Sequence, residues 1–189
     1  MATATLSKPL TLAEFLALPE DGVERWLIHG ELREKPMTKR NRFHSKIMAV
    51  VSHILLEWMN AQPLPRGEIL CGEAGVLLDR DPTCTAGVDV VYISPQLAAS
   101  QTDDTTLIEG VPSLVVEILS PSDTQKEIDE KIDMYLSVGV PHVWIIDPHD
   151  QTVLVLRPDE LPRLFNVKEE IAAEPHLPGF QVMVGRIFA

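Results

Sequence analysis

No apolar run in this sequence approaches the ~18 residues that a membrane-crossing helix needs. The segment Met1 to Pro9 has one lysine and no apolar core ending in a small-residue cleavage site, so no secretory signal is expected there. Cysteine is nearly absent. Cys71 and Cys84 make no disulfide framework, and neither sits in a CxxC or Cys/His cluster. Two reduced thiols in a cytoplasmic protein are the expectation. Glycine-rich phosphate loops are missing: no GxxxxGK[ST], GxGxxG or GxSxG occurs, which removes support for nucleotide-binding and serine-hydrolase readings. His29, His53, His142, His149 and His176 show no metal-ligand spacing such as HxxxH.

Positive charge is also scarce. Lysine and arginine number 16 against 28 aspartates and glutamates, a net charge of −12. Affinity for a phosphate backbone comes from basic side chains, so the surface as a whole is no polyanion binder. One cluster runs the other way: Lys35, Lys39, Arg40, Arg42 and Lys46. Over a Debye length of about 8 Å the local sign outweighs the total. The cluster reads either as a solvated loop and helix start or as a nucleic-acid contact.

What is present is enough for a core. The chain has 189 residues, 45% of them hydrophobic, and reads as one domain over 1–189. Thr11-Leu12-Ala13-Glu14 has capping-box spacing and opens a short helix that Pro19 and Asp21-Gly22 stop. Residues 23–28 and 31–35 flank His29-Gly30 as a hairpin. Asn41 caps a helix to about Asn60, whose apolar residues from Phe43 to Trp58 recur at 3 and 4. Strands are expected at 68–71, 75–79, 87–93 and 113–119, with a long loop over 95–112. Ser122 or Asp123 caps a helix over 124–138, and Gly139 ends it. Strands at 142–146 and 152–156 flank the turn Asp147-Pro148-His149-Asp150. A proline-rich stretch, 158–178, leads to short strands at 180–184 and 186–188. The class is α/β (α+β), a mixed sheet flanked by helices.

Two of these strands carry carboxylates. Asp89 lies in Val88-Asp89-Val90-Val91 and shares a face with Val91 and Ile93; Glu117 lies in Leu114-Val115-Val116-Glu117-Ile118 and shares one with Val115 and Leu119. Both faces of the second strand are apolar, which makes it an inner strand. A buried lone carboxylate protonates, whereas an ionised pair needs a cation. Magnesium prefers one or two carboxylates, with waters and substrate phosphate completing its shell. The plainer alternative puts both groups at strand ends, solvated or salt-bridged. On the helix after Glu117, Ile128, Ile132 and Tyr135 form the apolar stripe. At about 100° per residue, Lys131 lies roughly 60° from Ile128 and Lys126 about 160°. Lys131 therefore borders the core, either facing the carboxylates or paired with Glu127. His44 reads as a capping or core-edge histidine, and Glu73 as a possible third acid or a solvated strand start.

These residues resemble a family. The run Gly110-Val111-Pro112-Ser113-Leu114-Val115-Val116-Glu117-Ile118-Leu119-Ser120-Pro121-Ser122-Asp123 is similar to the hallmark of the Uma-type restriction endonucleases. So are Lys131, Tyr135 and Gly139-Val140-Pro141-His142-Val143-Trp144-Ile145-Ile146-Asp147-Pro148. His29-Gly30-Glu31-Leu32, His44 and Leu177-Pro178-Gly179-Phe180 extend the likeness over nearly the whole chain. The resemblance implies a restriction-endonuclease-like sheet of the PD-(D/E)XK superfamily and a Mg2+ or Mn2+ site held by Asp89 and Glu117. It implies that Leu119 replaces the usual lysine and that Lys131 has taken its role. Val88 replaces the usual proline. Trp26 stands where relatives carry the glutamate of Tyr-Glu-Leu.

The resulting expectation is a metal-dependent DNA endonuclease with Asp89, Glu117 and Lys131 as catalytic residues and His44 and Glu73 as auxiliaries. Neither membrane partner nor signal is expected, and a homodimer would match duplex symmetry. The alternative is a catalytically inactive nuclease-fold module that binds or regulates.

Overall fold

The computed structural model describes residues 8–36, 41–102 and 106–189. Lys39 and Arg40 of the basic cluster, and Asp103 and Asp104 of the expected loop, lie outside the described residues.

Chain order begins with helix α1, Leu12–Leu16, whose Thr11/Glu14 capping box is formed. Strands β1, Val23–Ile28, and β2, Glu31–Pro36, make the expected hairpin. Helix α2 runs Arg42–Ala61, with Asn41 accepting from the His44 backbone N–H. Strands β3, Glu68–Arg80, and β4, Thr83–Ile93, form a long antiparallel pair. Then come α3, Pro95–Ser100, β5, Ile108–Glu109, β6, Leu114–Ile118, and α4, Gln125–Ser137. The chain continues through β7, Val143–Asp147, β8, Thr152–Leu156, β9, Arg163–Asn166, β10, Glu170–Ala172, β11, Gln181–Met183, and α5, Gly185–Phe188.

Among the described residues the main sheet has nine strands, ordered β2-β1-β4-β6-β7-β8-β9, with β3 on β4 and β5 on β3. Only β6–β7 and β3–β5 pair in parallel. The crossover from β6 to β7 is α4, which is what a parallel neighbour requires. Helix α2 covers one face: Ile47, Val51 and Leu55 pack with Val90, Val116 and Trp144. On the other face Ile132 and Tyr135 of α4 pack with Trp26, Val91 and Val115. Alternation along β6 therefore sends Val116 and Ile118 toward α2, and Val115, Glu117 and Leu119 toward α4. Glu117 occupies an otherwise apolar face, as the strand pattern predicts.

Several expectations need correction. Residues 68–80 are one strand, interrupted by a bulge: Cys71 pairs with Val90 and Ala74 with Val88, so Gly72 and Glu73 together oppose Asp89. Both bulge residues take positive φ, 90° and 62°. The 95–112 segment is not a plain loop. Ser94 caps α3 and Pro95 sits at its first turn, a start signal legible in the sequence. Thr124, not Ser122 or Asp123, caps α4 through a capping box with Glu127. Near the C-terminus β11 returns to pair with β10, inside the stretch read as irregular. Residues 185–188 are helical, because an apolar run of a few residues has no periodicity to separate helix from strand.

Candidate active site

Strand β4 lies between β1 and β6 and also carries β3, so it gathers side chains from three neighbours. Its pairing with β6 matches Val90 to Val116 and Val91 to Val115. Asp89 and Glu117 are the next residues on the two strands beyond the Val90–Val116 pair. The Ile118 backbone N–H donates to Asp89 Oδ2 at 2.8 Å. His44, fully buried at the start of α2, meets the same oxygen through Nε2 at 3.1 Å. A donating Nε2–H leaves a bare lone pair on Nδ1, which has no partner. That is the less costly atom to leave unpaired. Asp89 is 3% exposed, and its other oxygen, Oδ1, is buried without any hydrogen-bond partner. An ionised carboxylate oxygen left so carries a desolvation cost that a neighbouring cation would remove.

Glu117 has company of the opposite kind. Lys131 Nζ donates to its Oε1 at 3.0 Å, and the Tyr135 hydroxyl donates to the same oxygen at 2.5 Å. These two residues lie four apart on α4 and share its inner side, as the helical wheel predicts. Lys131 is 13% exposed and Lys126 is 84% exposed. The alternative pairing of Lys131 with Glu127 is not the one formed, since Glu127 closes the capping box at Thr124. Burial pushes the Glu117 carboxyl above its ordinary range; the Lys131 ammonium opposes this, and the Asp89 charge adds to it. Burial alone would lower the Lys131 pKa, but the Glu117 charge and hydrogen bond raise it on balance. Burial, with Glu117 next to it, holds the Tyr135 hydroxyl protonated well above its usual value.

Asp89, Glu117 and Lys131 line a cavity of about 40 Å³, together with Trp26, Glu24 and Lys35 from the β1–β2 hairpin. A space of that size is on the scale of one water. Glu73 also lines it, brought there by the bulge that faces Asp89. Bulges near active sites commonly re-aim a side chain in this way. Asp89, Glu117, Lys131 and Glu73 therefore line one pocket, and His44 touches it through Asp89, although these residues are spread from 44 to 131. Among the described residues, no three His, Cys, Asp or Glu side chains converge as a ready-made metal cage.

The sequence does not place three residues at this pocket: Glu24 goes unremarked, Trp26 is read only as a departure from the family, and Lys35 only as part of the basic cluster. Glu24 and Trp26 share the inner face of β1 by simple alternation, a signal available in Val23-Glu24-Arg25-Trp26. Lys35 reads in the sequence only as part of a basic cluster, solvated or contacting nucleic acid, yet its side chain is 16% exposed and bonds Asp123 at 3.2 Å. Its partner lies 88 residues away, which no local pattern shows.

The chain was compared with known proteins. A family model described as "Putative restriction endonuclease", Uma2, matches residues 12–185. No curated protein matches. A crystal structure of a putative nuclease belonging to DUF820 from Anabaena variabilis superposes with a TM-score of 0.77 at 23% identity, covering 95% of this chain and 98% of that one. That likeness establishes the fold, an α/β (α+β) restriction-endonuclease-like mixed sheet flanked by helices. Among the described residues no helix is long and apolar enough to cross a membrane. With the family model matching nearly its whole length, this chain belongs to the Uma2 family of restriction-endonuclease-like proteins.

Proposed function

We propose that this chain is a divalent-metal-dependent endonuclease that hydrolyses DNA phosphodiester bonds. The observation that carries the reading is Asp89 Oδ1, a buried carboxylate oxygen without a partner, on a strand whose neighbour β6 carries the carboxylate Glu117. Two carboxylates without a third protein ligand suit Mg2+ or Mn2+, which keep waters and take substrate phosphate. When bound, the ion supplies a polarised phosphate and an acidified water.

This chain's own residues do the rest. His44 and the Ile118 N–H hold Asp89 Oδ2, so the Asp89 carboxylate cannot rotate and its free oxygen stays presented. Lys131 and Tyr135 hold Glu117 by one oxygen, Oε1, and fix its plane. The Lys131 ammonium then stands beside the carboxylates, where it offsets charge developing on the phosphate. Glu73 is an auxiliary acid of the same pocket. A homodimer presenting two such sites to the two strands of a duplex belongs to the proposal.

A second reading, an inactive nuclease fold kept for binding or regulation, draws on Trp26. That bulky residue is 2% exposed and fills the β1 position where the resemblance expects a glutamate. Cleavage of supercoiled plasmid with Mg2+ or Mn2+, with Glu117→Ala and Asp89→Ala alongside, separates the two. Cleavage by the wild type and by neither variant supports the nuclease. No cleavage by any of them, with a folded wild type, supports the inactive module.

A further inference from the structure

Two cations line the cavity among the described residues, Lys131 and Lys35. Lys131 is already engaged, since it compensates the buried Glu117. Lys131 can offset charge at the scissile phosphate, but binding the phosphodiester itself calls for a second cation that is not holding Glu117. Lys35 meets that need. Its ammonium bonds Asp123 Oδ1 at 3.2 Å and lies 3.6 Å from Glu24 Oε2, neither of them part of the Asp89–Glu117 pair.

The two ends of this contact differ in rigidity. Asp123 is tied down, because its other oxygen accepts the Ser120 backbone N–H at 2.7 Å in the turn after β6. Lys35 sits on β2, an edge strand whose one sheet neighbour is β1. The Lys35–Asp123 bond therefore joins the edge hairpin to the turn before α4 across a cavity with room for about one water. A phosphate that takes the Lys35 ammonium must compete with Asp123 for it. The Trp26 indole lies between the two lysines, 5.9 Å from Lys35 Nζ and 5.8 Å from Lys131 Nζ at its ring centroid. At that range it attracts both ammonium groups weakly, which leaves Lys35 a resting place when Asp123 lets go.

We propose that Lys35 is the phosphodiester-binding cation of this site and that Asp123 holds it in reserve until substrate takes it. This rests on the nuclease reading and adds a substrate-binding residue and a built-in competitor to it. The resting site is thereby closed by its own carboxylate, and DNA opens it by exchanging one anion for another.

The test is equilibrium binding of a short fluorescein-labelled DNA duplex, with Ca2+ in place of Mg2+, over a range of salt. Lys35→Gln is expected to weaken binding about 5–10-fold and to reduce the slope of log affinity against log salt by about 1. Lys35→Arg restores both. Asp123→Asn keeps an oxygen for the Ser120 N–H and is expected to tighten binding a few-fold, an effect that vanishes when combined with Lys35→Gln. A purely structural Lys35 would alter thermal stability and leave the salt slope where it was. Wild-type binding that Lys35→Gln leaves unchanged in strength and slope overturns this proposal alone. So does an Asp123→Asn variant that binds more weakly. No duplex binding by the wild type overturns the nuclease reading and this proposal together.

Discussion

His44 Nε2 holds Asp89 Oδ2 at 3.1 Å across the sheet, while Asp89 Oδ1 stays buried and unpaired. One oxygen is anchored and the other is available. This asymmetry fixes what each group can do and sets the first expectations.

Mg2+ or Mn2+ is expected to raise the melting temperature of the wild type, because an ion that binds the folded site alone must stabilise it. At 100 times its Kd the gain is about 2.7 kcal/mol. Asp89→Asn keeps the shape and one oxygen but removes the charge. It should abolish the metal-induced shift, read by differential scanning fluorimetry. A full shift in Asp89→Asn would place the ion elsewhere.

His44→Phe removes the group that anchors Asp89 while filling the same buried space. A partner behind a metal-holding carboxylate typically contributes ~10–100-fold in affinity or activity. Cleavage is expected to fall by that factor, with circular dichroism unchanged. An unaltered rate would reduce His44 to a core residue.

Lys131→Met leaves the buried Glu117 carboxylate without its cation. Breaking a buried pair from one side costs about 3–5 kcal/mol. The sign of its pH dependence follows from Glu117. Without Lys131, nothing of that strength opposes the upward push of burial and Asp89. A carboxyl raised in the fold keeps its proton longer than the unfolded chain does. Its contribution is therefore present at low pH and lost as pH rises through the folded pKa. The deficit against wild type should grow from acid to neutral pH in urea titrations.

His142 provides a pH test away from the site. Burial, with Arg157 and His176 adding to it, lowers its pKa from 6.5 to about 4. The Arg157 Nε–H donates to its Nδ1 at 3.3 Å, a bond that needs the neutral ring. The unfolded chain therefore binds the proton more readily. Stability is full above pH 6.5, falls as pH drops toward 4, and loses nothing further from this group below that. The full loss is on the order of 3 kcal/mol. His142→Asn should flatten the melting temperature over that window.

Gly87 tests Glu73. A Cβ at position 87 would stand 2.9 Å from Glu73 Oε2, the far end of a flexible side chain. Gly87→Ala should therefore leave the fold intact, within about 1 kcal/mol, and turn the Glu73 carboxylate aside. A several-fold loss of Mn2+ affinity by isothermal titration assigns Glu73 to the site; unchanged affinity removes it.

Much of the architecture was legible because it is written locally. The α2 stripe, the capping box at Thr11, the β1–β2 turn and the hairpin around Asp147 each depend on neighbours within a few residues. Lys131 was legible for the same reason, since its angle to Ile128 is a property of one helix. The bulge at Gly72-Glu73 was not, because its register is defined only against β4. Of the β10–β11 pair, β11 falls in the strand expected at 180–184, whereas β10 was hidden in a stretch rich in proline and turn residues.

The sequence by itself determined which residues could serve: carboxylates at 89 and 117 on inner strands and a lysine bordering the core at 131. Strand alternation and helical angle are enough for that, as they depend on backbone geometry alone. Only the tertiary structure decided which of them meet. His44 reaches Asp89 over 45 positions, Lys35 reaches Asp123 over 88, and Lys131 takes Glu117 rather than Glu127. Each is settled by sheet order and helix placement, and the electrostatics of the pocket follow from burial that no single segment carries.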